Sequence, residues 1–406
     1  MQTKLIQWRK AEKAELKVTV AGDFCPRENN SDDVAARSEE ICREIKPYFT
    51  DSDLRLLQWE CTITRQDTPI VKSGPNHRCY PEAVSFAETL DIDAALLANN
   101  HTGDYGDPGV KDTLDTLAAH GISTVGAGMN QKEAEAPLIF TRNGLRIGLL
   151  NFAEHEFGMA AEDRAGSAGL DVPELPEQIQ ALKENSDVVL VILHGGHEMY
   201  SFPSPRMQKL CRFIARSGAD AVFNCHTHCP GGYEIYHNVP IVYSPGNFYF
   251  PPRPTSLPCW YIGYVPKFYF DRNGAFAMEL LGYYNYQKQL QPMSGEDADN
   301  FFSYLDELNV PLENPALLQS YFNSWCMISG LNGYLKIFQN VPAWEFDGQE
   351  KIAAWMNLRN VFSCESHNDL LRNTLSMIEF GKLKDAEKYI PMIEQLQKPE
   401  WVRTNQ

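Results

Sequence analysis

The sequence predicts an α/β protein with a sheet-based core, followed by a mostly helical C-terminal region. Three observations support this prediction. The first 250 residues alternate short apolar runs with helix-like stretches. The runs are rich in Val, Ile and Leu and show little polar alternation, which is typical of strands buried on both faces. From about residue 295 onward the pattern becomes helical, whereas strand–helix alternation itself is characteristic of α/β folds.

Each element of this prediction corresponds to a stretch of the chain. The candidate strands are 16–22, 54–60, 94–99, 147–153, 187–195, 220–225 and 241–247. The helix-like stretches between them include 82–90, 109–120 and 203–217. A Pro-rich loop at 250–260 precedes two further strand-like segments, 260–270 and 275–286. The predicted C-terminal helices are 296–308, 315–338, 348–361, 366–380 and 383–397. We therefore expect a domain over 1–286 and a helical region over 287–406.

Composition limits the classes of function. The chain has 406 residues and a formal net charge of −17, which argues against a nucleic-acid or anionic-membrane surface. An anionic substrate must then be attracted locally, by metal ions or a few placed cations. Ten cysteines lack the dense spacing of a disulfide scaffold. The first seventeen residues are charged throughout, and no apolar run approaches a membrane span. We expect a cytoplasmic protein without a membrane anchor, unless a leader has been removed.

Polar side chains follow five of the predicted strands. Asp23, Glu60, Asn100, His194 and His226 each lie at or just after the end of an apolar run. Ligands of α/β sheets bind outside the carboxyl ends of the strands, where loops from several strands converge. Five strands thus deliver metal-capable side chains to what we expect to be one edge.

Individually, each of these residues also has an ordinary explanation. Asp23 could cap a turn, Glu60 could be a surface carboxylate, and His194 could be a hydrogen-bonded core residue. Asn100 opens a Gly-rich turn in which Asn tolerates left-handed geometry, but its amide oxygen is also a competent metal ligand. The imidazole of the adjacent His101 could protonate a leaving group.

The His-x-His pair at 226–228 is a stronger signal. In an extended segment, residues two apart point to the same side, so both rings can face one site and bind different metals. The flanking Cys225 and Cys229 suggest a zinc finger, but a structural zinc site needs a second, separated pair of ligands. Imidazoles with carboxylates suit Zn²⁺, Mn²⁺ or Fe²⁺. Two such ions can bridge a water and clamp the attacking and leaving oxygens of a phosphate ester.

Ordered sequence blocks give these residues a family context. The chain resembles the CapA family, also called the poly-γ-glutamate biosynthesis family, within the calcineurin-like metallophosphoesterase superfamily. The blocks that carry the resemblance are VAGD (20–23), LQWECTIT (57–64), LANNHTGDYGDPGVKDTLDTL (97–117), TVGAGMNQKEAEAP (124–137), LHGGHEMYSFPSP (193–205), SGADAVFNCHTH (217–228) and IVYSPGNFYF (241–250).

The resemblance implies a four-layer α/β/β/α sandwich with two metal ions. It implies that the ligands are Asp23, Glu60, Asn100, His194, His226 and His228. Glu60 would bridge the metals, and His101 would be the proton donor. Arg27, Glu198 and Asn247 would either support the metal ligands or face the substrate. The chain departs from many metallophosphoesterases at Cys25, where they have His; this thiol is either a soft ligand or a buried side chain.

Three functions are compatible with these observations. The first is a metal-dependent hydrolase acting on a phosphorylated small molecule or an anionic polymer precursor in capsule, polyglutamate or cell-envelope metabolism. The second is an amide-ligase accessory or γ-glutamyl-transfer component. The third is a non-catalytic subunit that binds metal or an acidic polymer. The helical region could cover the metal edge or mediate homo-oligomerisation. We interpret Glu365 and His367 within it as surface or packing residues, and its aromatic residues as core.

Overall fold

A computed structural model describes residues 1–11, 13–251, 257–286, 288–339 and 348–402. The predicted Pro-rich loop includes 252–256, which lie outside the described residues. The strands, in chain order, are β1 (Thr3–Gln7), β2 (Leu16–Phe24), β3 (Leu54–Trp59), β4 (Thr62–Ile63), β5 (Arg78–Cys79), β6 (Ala94–Leu96), β7 (Ser123–Val125), β8 (Ala127–Gly128), β9 (Leu138–Arg142), β10 (Leu145–Ala153), β11 (Gly166–Ser167), β12 (Val188–His194), β13 (Ala221–Cys225), β14 (Tyr233–Tyr236), β15 (Val239–Val242), β16 (Asn247–Tyr249), β17 (Ile262–Asp271), β18 (Gly274–Tyr286) and β19 (Gln289–Pro292).

Most predicted helices are confirmed with small shifts at their ends, but 82–90 begins with a 3₁₀ turn over Pro81–Val84, and 383–397 is interrupted by a 3₁₀ turn over Glu387–Tyr389. The α-helices are α1 (Glu28–Cys42), α2 (Lys46–Thr50), α3 (Ser85–Thr89), α4 (Gly106–Ala119), α5 (Gln131–Ala134), α6 (Leu175–Lys183), α7 (Pro205–Arg216), α8 (Glu296–Asn309), α9 (Pro315–Trp325), α10 (Leu335–Ile337), α11 (Gln349–Ser363), α12 (Glu365–Glu379), α13 (Leu383–Ala386) and α14 (Ile390–Leu396). A π-helical stretch, Cys326–Tyr334, joins α9 to α10 within the predicted helix 315–338.

Two large sheets form the centre of the protein. The first has the order β1-β18-β17-β2-β3-β6-β7, with β16 beside β2 and β19 beside β18. Its strands β2, β3, β6 and β7 are parallel, while β17 runs antiparallel to β2. The second sheet has the order β14-β15-β13-β12-β10-β9, and β10, β12, β13 and β15 are parallel. The parallel strands explain the near-continuous apolar runs, since helices cover such sheets.

The sheets and helices stack in four layers, as predicted. Strands β7 and β18 of the first sheet contact β10 and β15 of the second. Helices α6 and α7 pack on the second sheet, and α1 packs against β19 of the first. Phe86 of α3 stacks on Phe24 of β2 with ring centroids 4.4 Å apart. In β12 every residue is buried, as expected of a central strand between covered faces.

Helix α7 shows how the sequence sets a covering element. Ser204 caps its first turn by accepting a hydrogen bond from the Met207 backbone N–H, and Pro205 occupies the first helical position. Its buried face, which includes Leu210 and Ile214, lies against β13 and β15. The cap and the proline therefore set where this helix begins, and its amphipathic pattern sets which side packs on the sheet.

The predicted strand 241–247 is wrong as a single strand. The chain leaves β15 of the second sheet at Val242 and enters β16 of the first sheet at Asn247. Gly246 has a φ of +80°, a backbone conformation that favours glycine, and it lies in this crossover. A continuous apolar run cannot report a change of sheet, because both halves are buried.

The C-terminal helices share the core of the sheets. Phe301, Leu305, Phe322 and Leu370 belong to the same buried cluster as the strand residues. Strand β19 also extends the first sheet beyond residue 286. The boundary between 286 and 287 stays a prediction. Among the described residues, no helix combines the length and apolar character needed to cross a bilayer.

Candidate metal centre

The site residues lie at the carboxyl ends of parallel strands from both sheets. Asp23 lies near the end of β2, Glu60 follows β3, and His194 ends β12. His226 and His228 follow β13. Each strand end leaves its side chain at the edge where the loops meet, as expected for this class of sheet.

The ligand atoms form two groups that share Glu60. One group is Glu60, His194 and His226, and the other is Asp23, Glu60 and His228; within each, the ligand atoms lie within 4.8 Å of one another. The Glu60 Oε1 atom is 3.5 Å from His194 Nε2 and 3.6 Å from His228 Nε2. Asn100 Oδ1 joins the first group, at 3.1 Å from His194 Nε2. The carboxylate of Glu60 therefore lies between two candidate metal positions.

Hydrogen bonding orients the two imidazoles of the first group. His194 Nδ1 lies 3.4 Å from the Cys225 thiol, and His226 Nε2 lies 3.5 Å from Glu156 Oε1. These outer nitrogens face acceptors and can carry the ring protons. The inner nitrogens, His194 Nε2 and His226 Nδ1, are 3.1 Å apart and then present two lone pairs to one point. A cation at that point would relieve their repulsion.

Asn247 orients the third imidazole. Its amide nitrogen donates to the His228 and Trp260 carbonyl oxygens, which fixes the amide orientation. Its Oδ1 lies 2.9 Å from His228 Nδ1 and can accept that ring proton. His228 Nε2 is left to face Glu60. Asn247, predicted as a substrate or supporting residue, thus holds a candidate ligand in place.

Three carboxylate oxygens of the site lack hydrogen-bond partners, which tests whether a metal fits; the fourth, Asp23 Oδ2, accepts from the His226 backbone N–H at 3.1 Å. Asp23 Oδ1 and both oxygens of Glu60 are buried without a hydrogen-bond partner. Burial raises the pKa of Asp23 to about 6 and raises that of Glu60 well above its usual range. Burial also lowers the pKa of His228 to about 3 and that of His194 well below its usual value, so both rings are neutral. Unpaired carboxylates with neutral imidazoles fit Zn²⁺, Mn²⁺ or Fe²⁺.

The backbone at this site is strained. His226 has a φ of 105° and His228 a φ of 58°, in the region that non-glycine residues rarely adopt. Such residues cost on the order of 1–3 kcal/mol each and persist where the surroundings enforce them. Gly22 is also required: a Cβ there would lie 2.4 Å from the Gly246 carbonyl oxygen. Close approach of β2 to the β15–β16 crossover therefore demands glycine just before Asp23.

His101 belongs to a buried polar network beside the metal positions. Its Nδ1 lies 2.7 Å from Asp104 Oδ2, and Lys72 pairs with the same carboxylate. The Lys72 ammonium also donates to the Asn100 carbonyl oxygen at 3.0 Å. Burial and then Lys72 hold the pKa of His101 well below its usual range. The arrangement fixes Nδ1 and leaves Nε2 as the nitrogen available to a substrate.

The remaining predicted residues occupy the surroundings. Arg27 is half-buried and lies over the Phe250 ring, 5.5 Å from its centroid. Glu198 is exposed and lies at a cavity that His226 also lines. The Cys25 thiol packs beside that of Cys61, and it belongs to none of the converging ligand groups in the described part of the chain.

The zinc-finger alternative for CHTHC is not supported by the surroundings of its thiols. Cys225 contacts His194, whereas Cys229 hydrogen-bonds with Ser201 and Thr227. Within the described residues, no converging ligand group contains both thiols.

Four residues of the site were missed from the sequence. Asp104 follows His101 by three positions, a spacing that could have suggested a carboxylate–imidazole pair. Lys72 and Glu156 lie on loops with no motif of their own. His367, interpreted as a surface or packing residue, instead lies 3.9 Å from Glu156 Oε2 and lines the cavity beside His226.

The fold and the site define a four-layer α/β protein with a candidate metal centre at the carboxyl ends of its parallel strands. The profile described as "Bacterial capsule synthesis protein PGA_cap" matches residues 17–252, so the chain belongs to that family. This confirms the resemblance drawn from the sequence blocks.

Two curated relatives carry the same family name. The chain is 28% identical over 249 residues to "Capsule biosynthesis protein CapA" of Bacillus anthracis, covering 59% of this chain and 61% of that protein. It is 30% identical over 219 residues to "PGA biosynthesis protein CapA" of Bacillus subtilis (strain 168), covering 52% and 57%. The matches thus span about three fifths of the relatives' length. A solved 5'-nucleotidase precursor from Thermus thermophilus aligns with a TM-score of 0.42 at 15% identity, covering 74% of this chain and 59% of that one.

Proposed function

We propose that this protein is a dinuclear metal-dependent hydrolase of phosphate esters. The observation that carries the proposal is Glu60, a buried carboxylate without hydrogen-bond partners that two groups of candidate ligands share. Asp23, Glu60 and His228 would hold one ion; Glu60, Asn100, His194 and His226 would hold the other. When bound, two such ions lower the pKa of a water and stabilise charge on the reacting oxygens.

The protein's own residues then perform orientation and proton transfer. Asp104 holds His101 through Nδ1, so Nε2 can deliver a proton to the departing oxygen. Because burial and Lys72 keep this ring neutral in the free protein, we expect it to gain its proton only when an anionic phosphate lies beside it. The substrate's anionic group enters an acidic protein because the metal centre supplies the local positive charge.

The experiment combines metal analysis with turnover. Protein purified without chelator should contain one to two transition-metal ions per chain, and hydrolysis of p-nitrophenyl phosphate should require them. His101→Asn should lower kcat by about 10²- to 10⁴-fold with the metal content unchanged. His120→Asn is the matched control, because that exposed imidazole pairs with Glu88 at the end of α4. A wild-type protein whose stability does not respond to Mn²⁺ or Zn²⁺ would refute the metal centre, and loss of metal in His101→Asn would refute its assigned role.

The family supports a proposal for the biological role. The relatives' names refer to capsule and PGA biosynthesis, and two Mycobacterium tuberculosis relatives are named probable polyglutamine synthesis accessory proteins. We propose a role in the metabolism of such a polymer or its precursors. The word accessory in those names favours a second candidate, a non-catalytic component that binds metal or an acidic polymer. Metal-dependent turnover that His101→Asn suppresses would exclude that candidate; metal binding with no turnover would favour it.

A further inference from the structure

A cavity of about 290 Å³ lies beside the metal centre, and the C-terminal helical region forms one of its walls. One wall belongs to the α/β core and contains His226, His197 and Glu198. The other wall comes from residues far along the chain, Trp325, Ser329, Tyr334, His367 and Leu370. Since His226 is a candidate metal ligand, the cavity adjoins the metal centre at that residue.

Direct contacts connect the helical wall to the metal centre. The Tyr334 hydroxyl hydrogen-bonds with His367 Nδ1. His367 Nε2 lies 3.9 Å from Glu156 Oε2, and Glu156 Oε1 lies 3.5 Å from His226 Nε2. The Glu156 carboxylate therefore connects the helical wall to His226, a candidate metal ligand.

Buried polar atoms without partners also line the cavity. Trp325 is 6% exposed and stacks on Tyr200, with ring centroids 5.1 Å apart, and its indole N–H has no hydrogen-bond partner. His197 is 5% exposed, and its Nε2 likewise has none. Buried polar groups in native proteins are nearly always hydrogen-bonded, so these two side chains carry hydrogen-bonding capacity beside the cavity that the described protein groups leave unused.

The charges around the cavity restrict the chemistry of that ligand. Glu198 is an exposed carboxylate at the cavity, and Glu156 lies between His226 and His367. Carboxylates accept hydrogen bonds from hydroxyl groups and repel a second anion. The volume is near the lower limit of ligand pockets, which begin at about 300 Å³, so it suits one small organic group.

We propose that the C-terminal helices complete the substrate pocket and select phosphate esters whose organic group bears hydroxyls and no charge of its own. This inference rests on the proposed phosphoesterase function. The expected substrates are glycerol phosphate and sugar phosphates. An ester whose organic group carries its own carboxylate is disfavoured.

A matched pair of substrates tests the selectivity. Glycerol phosphate and phosphoglycerate share one carbon skeleton and differ by a hydroxymethyl group in place of a carboxylate. We expect kcat/KM to be about tenfold higher for glycerol phosphate. Glu198→Gln should reduce this preference to below about threefold, because it removes the repelling charge and keeps the shape. An equal rate on both substrates in the wild type would overturn the proposal.

Variants of the helical wall test its contribution. Trp325→Leu and Tyr334→Phe should raise KM for glycerol phosphate about three- to tenfold, with a smaller change in kcat and an unchanged metal content. Glu365→Gln is the control, since it lies on the same helix as His367 but pairs with His155 outside this cavity. Wall variants that behave like Glu365→Gln would refute a direct role.

A binding measurement separates this inference from the proposed function. A phosphonate analogue of glycerol phosphate should raise the Tm of the manganese-loaded wild type and should raise that of Trp325→Leu less. If the metal-loaded wild type hydrolyses neither these esters nor p-nitrophenyl phosphate, the proposed function fails, while unequal stabilisation by the analogue still supports the cavity. If it hydrolyses generic phosphoesters and the analogue stabilises both proteins equally, the cavity proposal alone fails.

Discussion

Replacing Asp23 by Asn should stabilise the metal-free protein and weaken its response to metal. Asp23 is fully buried, and its Oδ1 has no hydrogen-bond partner. Burial raises its pKa from 3.8 to about 6. Because the pKa is higher in the folded state than in the unfolded chain, stability is lost as the pH rises from about 3.8 through 6. An uncharged Asn does not carry this penalty.

The magnitude follows from that pKa difference. A pKa change of one corresponds to about 1.4 kcal/mol, so ionising Asp23 costs about 3 kcal/mol at pH 7.5 in the absence of metal. For a chain of 406 residues, this corresponds to a Tm increase of about 3 to 4 °C in Asp23→Asn. With metal at 1,000 times its Kd, the wild type gains about 4.1 kcal/mol per site, which exceeds the advantage of about 3 kcal/mol that the variant has without metal. The variant keeps only the group formed by Glu60, His194, His226 and Asn100, so the order of stabilities should reverse.

Thermal unfolding with EDTA and with excess Mn²⁺, at pH 4.0 and pH 7.5, measures these effects. The difference between wild type and variant in EDTA should be largest at pH 7.5 and nearly absent at pH 4.0. Asp271→Asn is the control and should lower the Tm at pH 7.5, because Asp271 pairs with Arg9 at 2.6 Å and the pKa of its carboxyl is lowered in the folded protein. The reasoning is refuted if Asp23→Asn is less stable than the wild type in EDTA at pH 7.5.

Two further substitutions test the support of the site. Gly22→Ala should cost about 1–3 kcal/mol and reduce the metal content, because its Cβ would lie 2.4 Å from a backbone oxygen; Gly333→Ala, with open space around it, should change the Tm little. Lys72→Met should destabilise the protein by about 3 kcal/mol, because it leaves a buried carboxylate without its cation. It should also shift the alkaline limb of the pH–rate profile upward, because Lys72 lowers the pKa of His101. The exposed Lys111→Met should do neither, and an unshifted profile in Lys72→Met would contradict the role of His101 as proton donor.

Local patterns made most of the metal centre predictable. Asp23, Glu60 and His194 lie at or just beyond the ends of apolar runs, and parallel strands deliver such positions to one edge. The His-x-His spacing singled out His226 and His228, but the extended segment expected there is wrong: both lie in the loop after β13 with positive φ, which brings the two rings to the site. The same patterns predicted the helices, since their periodicity is local.

The supporting residues could not be predicted in this way. Glu156 and His367 are more than two hundred positions apart, and only packing of α12 against the site brings them to 3.9 Å. The burial of Lys72 beside His101 likewise depends on a loop without regular periodicity. Such contacts depend on which surfaces pack together, and hydropathy patterns contain no information about that.

The sequence by itself determined the α/β class and the family and singled out the candidate ligands at the strand ends, because these depend on local periodicity and on short ordered motifs. Only the tertiary structure decided that Glu60 is shared by two groups, since that requires β3 beside β2 in one sheet and His194 and His228 from the other. It also decided that the chain changes sheet between Val242 and Asn247, which places Asn247 against His228. Packing between the sheets, which acts over long separations in the chain, is the physical reason.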